Sequence, residues 1–156
     1  MLNLEIPGKE KITIKNIVLD FNGTIALDGV LLPGVQERLN ALAADLNIYI
    51  LTADTFGTAN TACAGINGKV VILPGFPVAV EKLKFIKELG QQVTASVGNG
   101  ANDCLMLKEC VLGVCVTGPE GTSAEALSAA DVVVQDINHG LELFLSPKRL
   151  VATLRG

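Results

Sequence analysis

Four short segments of this 156-residue chain carry side chains suited to holding phosphate and a hard cation. The first is Asp20-Phe21-Asn22-Gly23-Thr24, directly after the apolar run Ile17-Val18-Leu19. A carboxylate at a strand tip is placed to act as a nucleophile. The glycine behind it permits a sharp turn and close backbone approach to a phosphate. The second is Tyr49-Ile50-Leu51-Thr52-Ala53-Asp54, where a threonine at a strand end offers its hydroxyl and backbone to a phosphoryl oxygen. The third, Gly98-Asn99-Gly100-Ala101-Asn102-Asp103, collects oxygen ligands of the kind Mg²⁺ takes, few from protein and the rest from water and phosphate. The fourth is basic: Lys82, Lys84 and Lys87, of which one near the helix start is expected to reach the site and neutralise a phosphate. Lys82 and Lys84 stand about 200° apart on a helix, so only one of them faces the site. Taken singly, each segment also has an ordinary reading as a strand-exit turn, a helix N-cap, a glycine-rich turn or a solvated lysine.

The elements that must position these segments alternate between strand-like and helix-like patterns. Leu2–Ile6 and Lys11–Lys15 read as a hairpin around Pro7-Gly8-Lys9-Glu10. Strands follow at 17–19, Asn47–Leu51, Lys69–Leu73, Gln92–Val97, Leu112–Val116 and Val132–Val134. Helices are predicted at Gly34–Asp45, Thr58–Ala64, Pro77–Leu89, Asn102–Cys110, Ser123–Ala129, Asn138–Leu145 and Pro147–Leu154. The strands are too continuously apolar for one wet face. This implies an α/β fold, a parallel sheet with helices on both faces, and one domain over 1–156 with the hairpin 1–15 as N-terminal decoration. In such sheets ligands sit beyond the carboxyl ends of the strands, where Asp20, Thr52 and Gly98-Asn99 lie.

Composition excludes several function classes. The chain has 12 Lys and Arg against 16 Asp and Glu and one Tyr with no Trp, so neither a basic groove nor a base-stacking platform for nucleic acid is expected. The cysteines Cys63, Cys104, Cys110 and Cys115 form no CxxC pair and His139 is the only histidine, which argues against zinc and against His-dependent nucleophilic catalysis. Free thiols and the absence of a signal-like N-terminus point to the cytoplasm, and no apolar run approaches a membrane span. The high apolar fraction, 49%, is expected to go into the sheet, with some surplus for a possible homo-oligomer interface.

In this order the segments resemble the four motifs of the haloacid dehalogenase superfamily, over residues 16–136. The likeness is most specific to the phosphorylation domain of P-type ATPases and to small stand-alone soluble P-type ATPase-like proteins. It implies a three-layer, Rossmann-like fold and a Mg²⁺ cofactor. It also implies phosphoryl transfer from a phosphorylated small molecule or phosphoprotein through an aspartyl-phosphate on Asp20. By the same resemblance Asp20, Asn22, Thr52 and Lys82 (or Lys84) are the catalytic positions. Gly23, Thr24, Thr52, Ala53, Lys82 and Asn102 would hold phosphate, and Asp20, Asn22, Asn99 and Asp103 the metal.

Two departures matter. Most phosphatases of the superfamily carry an acid-base aspartate two residues after the nucleophile, and here that residue is Asn22. The first acid of the fourth motif is Asn99, which removes a charge from the metal site. Only 27 residues separate Thr24 from Thr52, and 29 separate Thr52 from Lys82, so no cap domain is expected over the site. The departures leave two expectations: a slow Mg²⁺-dependent phosphohydrolase, or a non-catalytic domain that binds phosphate, nucleotide or protein.

Overall fold

A computed structural model describes residues 1–54 and 57–156. In chain order the elements are β1 (Leu2–Leu4), β2 (Ile12–Ile14), β3 (Asn16–Asp20), β4 (Ala26–Leu27), β5 (Val30–Leu31), α1 (Val35–Leu42), β6 (Asn47–Thr52), α2 (Ala59–Ala62), β7 (Lys69–Ile72), α3 (Val78–Leu89), β8 (Thr94–Gly98), α4 (Cys104–Glu109), β9 (Leu112–Val116), α5 (Ala124–Ala129), β10 (Val132–Val134), α6 (Ile137–Leu145) and α7 (Pro147–Leu154). Short 3-10 turns occupy Gln91–Val93 and Ala101–Asp103.

Six strands form one parallel sheet in the order β10-β9-β8-β3-β6-β7. The chain winds outward from β3 through β6 to β7, then returns to the other side of β3 to lay down β8, β9 and β10. The reversal opens a crevice at the carboxyl ends of β3, β6 and β8, the place where such sheets bind ligands. Register levels the three tips: Asp20 is opposite Leu51, one residue before Thr52, and Leu19 is opposite Val97, one residue before Gly98.

Both faces of the sheet are covered, which is why its strands do not alternate. Ile17, Leu19, Ile50 and Val97 pack on one side against Val35 and Leu39 of α1 and Leu141 and Phe144 of α6. Val18 and Leu51 pack on the other against Ile86 of α3 and Met106 of α4, with Cys115 meeting Leu107 and Ala126 of α5. The N-terminal ribbon pairs Leu2–Leu4 with Ile12–Ile14 antiparallel, and Leu4 and Ile14 close one end of the larger core.

Three expectations change. The predicted strand at Gln92–Val97 begins at Thr94, after the 3-10 turn, and the helix predicted from Asn102 opens with another 3-10 turn before α4. A small hairpin, β4–β5, stands where no element was expected. Its turn is Asp28-Gly29, with φ of 50° and 81°, the left-handed pair that a two-residue hairpin turn requires. On α3 the packed face is not uniformly apolar. Val80 is exposed, and the face turned inward runs through Val78, Lys82, Ile86 and Leu89.

Among the described residues, the interval from Thr24 to Thr52 holds only the hairpin and α1, and that from Thr52 to Lys82 only α2, β7 and the start of α3. Among the described residues no inserted folded unit covers the sheet edge. No described helix is long and apolar enough to cross a membrane.

Candidate active site

The chain turns immediately after Asp20. Thr24, Ile25 and Ala26 all donate their amides to the carbonyl of Phe21, and Gly23 donates to Ala26 at 2.7 Å. Gly23 sits at φ +87°, a conformation that suits glycine, and a Cβ there would fall 2.5 Å from Glu120 Oε2 and 2.6 Å from Asn99 Nδ2. The turn buries Thr24 beneath Asp20, where its hydroxyl lies 3.2 Å from Asp20 Oδ2 and 3.1 Å from Asn99 Oδ1. One proton cannot serve both acceptors at once, and the charged carboxylate is the stronger of the two. Asn22 is held from the hairpin side: its Oδ1 accepts the Gly29 amide at 2.8 Å.

Lys82 settles which lysine the fold brings inward. It occupies the apolar stripe of α3, is 1% exposed, and donates to Asp20 Oδ1 at 2.5 Å and to Asp103 Oδ1 at 2.6 Å. Lys84 points out to Glu81. The other oxygen of Asp103 accepts the amides of Asn99 and Gly100, at 3.0 and 2.9 Å. Gly98 permits this approach, since a Cβ there would meet the Asp103 carboxyl carbon at 2.5 Å. Asp103 is thus a buried bracket between Lys82 and the strand-end loop.

The electrostatics follow from burial. Withdrawal from water, and then the neighbouring Asp103 charge, push the Asp20 carboxyl up to about 7, against the lowering pull of Lys82 and the Thr24 hydroxyl. Burial by itself would lower the Lys82 ammonium. Asp20 and Asp103 more than offset that and hold it above its ordinary value, so Lys82 is charged.

Thr52 ends β6 beside this group. Its Oγ1 accepts the Asp54 amide at 2.9 Å, which leaves the hydroxyl proton free to donate. Asp20, Asn22, Thr52, Ala53, Lys82, Asn99 and Asn102 line one cavity of about 440 Å³. Gly23 and Thr24 lie in the turn beneath it, whereas Asp103, expected among the metal positions, is wholly buried behind Lys82 with its oxygens on Lys82 and the Asn99 and Gly100 amides, and it does not line the cavity. A further carboxylate, Glu120, lines the same cavity from the loop after β9. Sequence reasoning missed it: Thr117-Gly118-Pro119-Glu120-Gly121 reads as an ordinary turn, and only its position at the end of a parallel strand marks it.

The donor chemistry fits a hard divalent cation. Asp20, the Asn99 amide oxygen and the Asn22 carbonyl offer oxygen donors of the kind such a cation takes, and the absent Cβ of Gly23 leaves space beside Asn99 and Glu120. Among the described residues no three carboxylate, thiol or imidazole side chains converge into an all-protein metal cage. Mg²⁺, which keeps several waters and relies on one or two carboxylates with substrate phosphate, does not need one.

No family model matches the chain. It is 42% identical over 80 residues to the uncharacterized protein MJ0073 of Methanocaldococcus jannaschii, covering 49% of this chain and 86% of that one. It is 29% identical over 119 residues to the potassium-transporting ATPase ATP-binding subunit of Thermoplasma volcanium, matching 76% of this chain but only 17% of the subunit. Among solved structures, a Legionella pneumophila protein assigned to the HAD superfamily, subfamily III A, superposes with a TM-score of 0.64 at 18% identity, covering 90% of this chain and 87% of that one. The 3-deoxy-D-manno-octulosonate 8-phosphate phosphatase of Moraxella catarrhalis, crystallised with magnesium and phosphate ions, gives 0.64 at 17% identity over 91% and 94%. The chain therefore belongs to one family with MJ0073, and its fold is that of the haloacid dehalogenase superfamily.

Proposed function

We propose that the chain is a Mg²⁺-dependent phosphohydrolase that works through an aspartyl-phosphate on Asp20. The observation that carries this reading is the buried ion pair itself. A strand-tip carboxylate, hydrogen-bonded to a buried lysine, lines a cavity that opens where ligands bind in this fold. Phosphatase neighbours of the same fold support it.

In the reaction an Asp20 oxygen attacks phosphorus, forming the acyl phosphate as the bond to the leaving oxygen breaks. Lys82 and the Thr52 hydroxyl donate to the equatorial oxygens and stabilise the charge that spreads onto them. Water then attacks the same phosphorus, the Asp20 carboxylate departs, and phosphate is released. Asp20, the Asn22 carbonyl and Asn99 are the ligands that would hold Mg²⁺, which supplies charge neutralisation when bound, with Asp103 fixing the loop that carries Asn99. The Asn22 amide is far too weak an acid to protonate the leaving group, so water must, and turnover is slow unless the leaving group is already good. General acid-base help of this kind is worth about 10²–10⁴-fold. Acyl phosphates, which leave without protonation, are therefore the favoured class among phosphorylated small molecules and phosphoproteins. Four free thiols agree with a reducing compartment such as the cytoplasm.

A second reading, a non-catalytic phosphate-binding domain, draws on one observation. Both departures from the enzyme pattern have structural work: the Asn22 amide oxygen holds Gly29, and the Asn99 amide nitrogen holds Gly121. Hydrolysis of acetyl phosphate and p-nitrophenyl phosphate with Mg²⁺, wild type against Asp20→Asn, separates the two. The enzyme reading expects activity in the wild type and none in the variant. Equal background in both removes it.

A further inference from the structure

Glu120 is the carboxylate in the cavity lining that the reaction above leaves without a task. Among the described residues it makes no hydrogen bond and no salt bridge, although its loop is firmly held. Asn99 donates its side-chain amide to the Gly121 carbonyl at 2.9 Å, and Ser123 donates its backbone amide to the Asn99 carbonyl at 2.9 Å. Thr122 donates its hydroxyl to the Val116 carbonyl at 2.8 Å. Asn99 thus clasps the loop just after Glu120, at Gly121 and Ser123, and the first of these contacts needs an amide, because an aspartate at 99 has no proton for Gly121. The clasp brings the Glu120 carboxylate alongside the Asn99 side chain. Glu120 Oε2 and both polar atoms of Asn99 lie within 2.8 Å of one point, the place a Cβ on Gly23 would take.

The charge around this point is informative. Lys82 is already matched by Asp20 and Asp103 together. A further, unpaired carboxylate beside a phosphate-binding cavity repels the phosphate unless a cation lies between them. We infer that Glu120 supplies the divalent cation with the carboxylate charge that position 99 lacks, directly or through one of the cation's waters. The residue at 99 holds the loop and the charge stands on the loop. This rests on the Mg²⁺-dependent reading above.

Calorimetric titration of Mg²⁺ into the substrate-free protein tests it, with Glu120→Gln, Asp20→Asn and the surface control Glu125→Gln. Glu120 is exposed, so its variant is expected to melt with the wild type. Carboxylates that support a metal typically govern its affinity by 10–100-fold, and Glu120→Gln is expected to weaken Mg²⁺ by about that factor while Glu125→Gln does not. Loss of binding in Asp20→Asn with unchanged binding in Glu120→Gln overturns the inference and leaves the Mg²⁺-dependent reading standing. So does a Glu120→Gln that loses turnover at unchanged affinity, which makes Glu120 a proton-transfer group. Equal weakening in Glu120→Gln and Glu125→Gln also overturns it. A wild type that binds no Mg²⁺ removes both readings.

Discussion

Lys82 Nζ lies 2.5 Å from Asp20 Oδ1, and the two meet at the foot of the cavity with Asp103 closing the triad at 2.6 Å. A single ammonium therefore holds two carboxylates, one lining the cavity and one bracing the loop that follows β8. Removing it leaves two like charges face to face out of water. Lys82→Met is expected to destabilise the fold by about 3–5 kcal/mol, the usual penalty for orphaning one side of a buried pair. The loss should be smaller at pH 5, where Asp20 takes up a proton. Thermal melts at pH 5 and pH 8 check this, and an equal loss at both contradicts it.

The raised Asp20 carboxyl makes a second prediction, about the metal-free protein. Its folded value of about 7 stands above the ordinary 3.8. Between those values the folded state holds a proton that the unfolded state has lost, so this group's contribution is complete below about pH 4 and falls as pH rises through 7. Asp20→Asn removes that dependence. The melting temperature of the variant relative to wild type should climb from pH 5 to pH 8. A constant difference counts against the shift.

Asn22→Asp keeps an oxygen for the Gly29 amide and offers a second one to the cavity. Turnover of a simple alkyl phosphate such as glycerol phosphate, whose alkoxide leaves only with a proton, should rise by up to about 10²–10⁴-fold if proton transfer alone limits the reaction. The first step with acetyl phosphate, whose leaving group needs no proton, should gain much less. Equal first-step gains on both substrates, or none, refute the assignment of a missing leaving-group acid at Asn22.

Asn99→Asp adds charge but puts a carboxylate against the Gly121 carbonyl, acceptor to acceptor. The metal-free variant should lose about 1–3 kcal/mol, the cost of leaving buried polar groups unmatched, and recover part of it in Mg²⁺. Melts with and without Mg²⁺ measure this. An unchanged metal-free melt would mean that the clasp holds nothing.

Much of this site is legible in the sequence because it sits on strand tips. Continuous apolar runs identify β3 and β6, the place of β8 follows from the alternation of strands and helices, and the parallel sheet then brings Asp20, Thr52 and Gly98-Asn99 together, whatever their separation along the chain. Lys82 is harder. It lies within a stripe of apolar side chains, so a period-three reading of α3 passes over it. Only the triad geometry distinguishes it from Lys84. The β4–β5 hairpin is too short for any hydrophobic period, although its Asp28-Gly29 turn is a local signal. Glu120 is invisible for a different reason: its approach depends on hydrogen bonds between its loop and Asn99, some twenty residues back, and no local pattern encodes them.

The account stands on covalent chemistry at Asp20, and trapping the phosphoryl-enzyme tests that most directly. The protein is mixed with Mg²⁺ and radiolabelled acetyl phosphate, quenched in acid, and the label is mapped by peptide. The account predicts a hydroxylamine-labile label on the peptide containing Asp20, absent in Asp20→Asn and without Mg²⁺. Hydrolysis that proceeds with no trapped label, or a label that persists in Asp20→Asn, would contradict it.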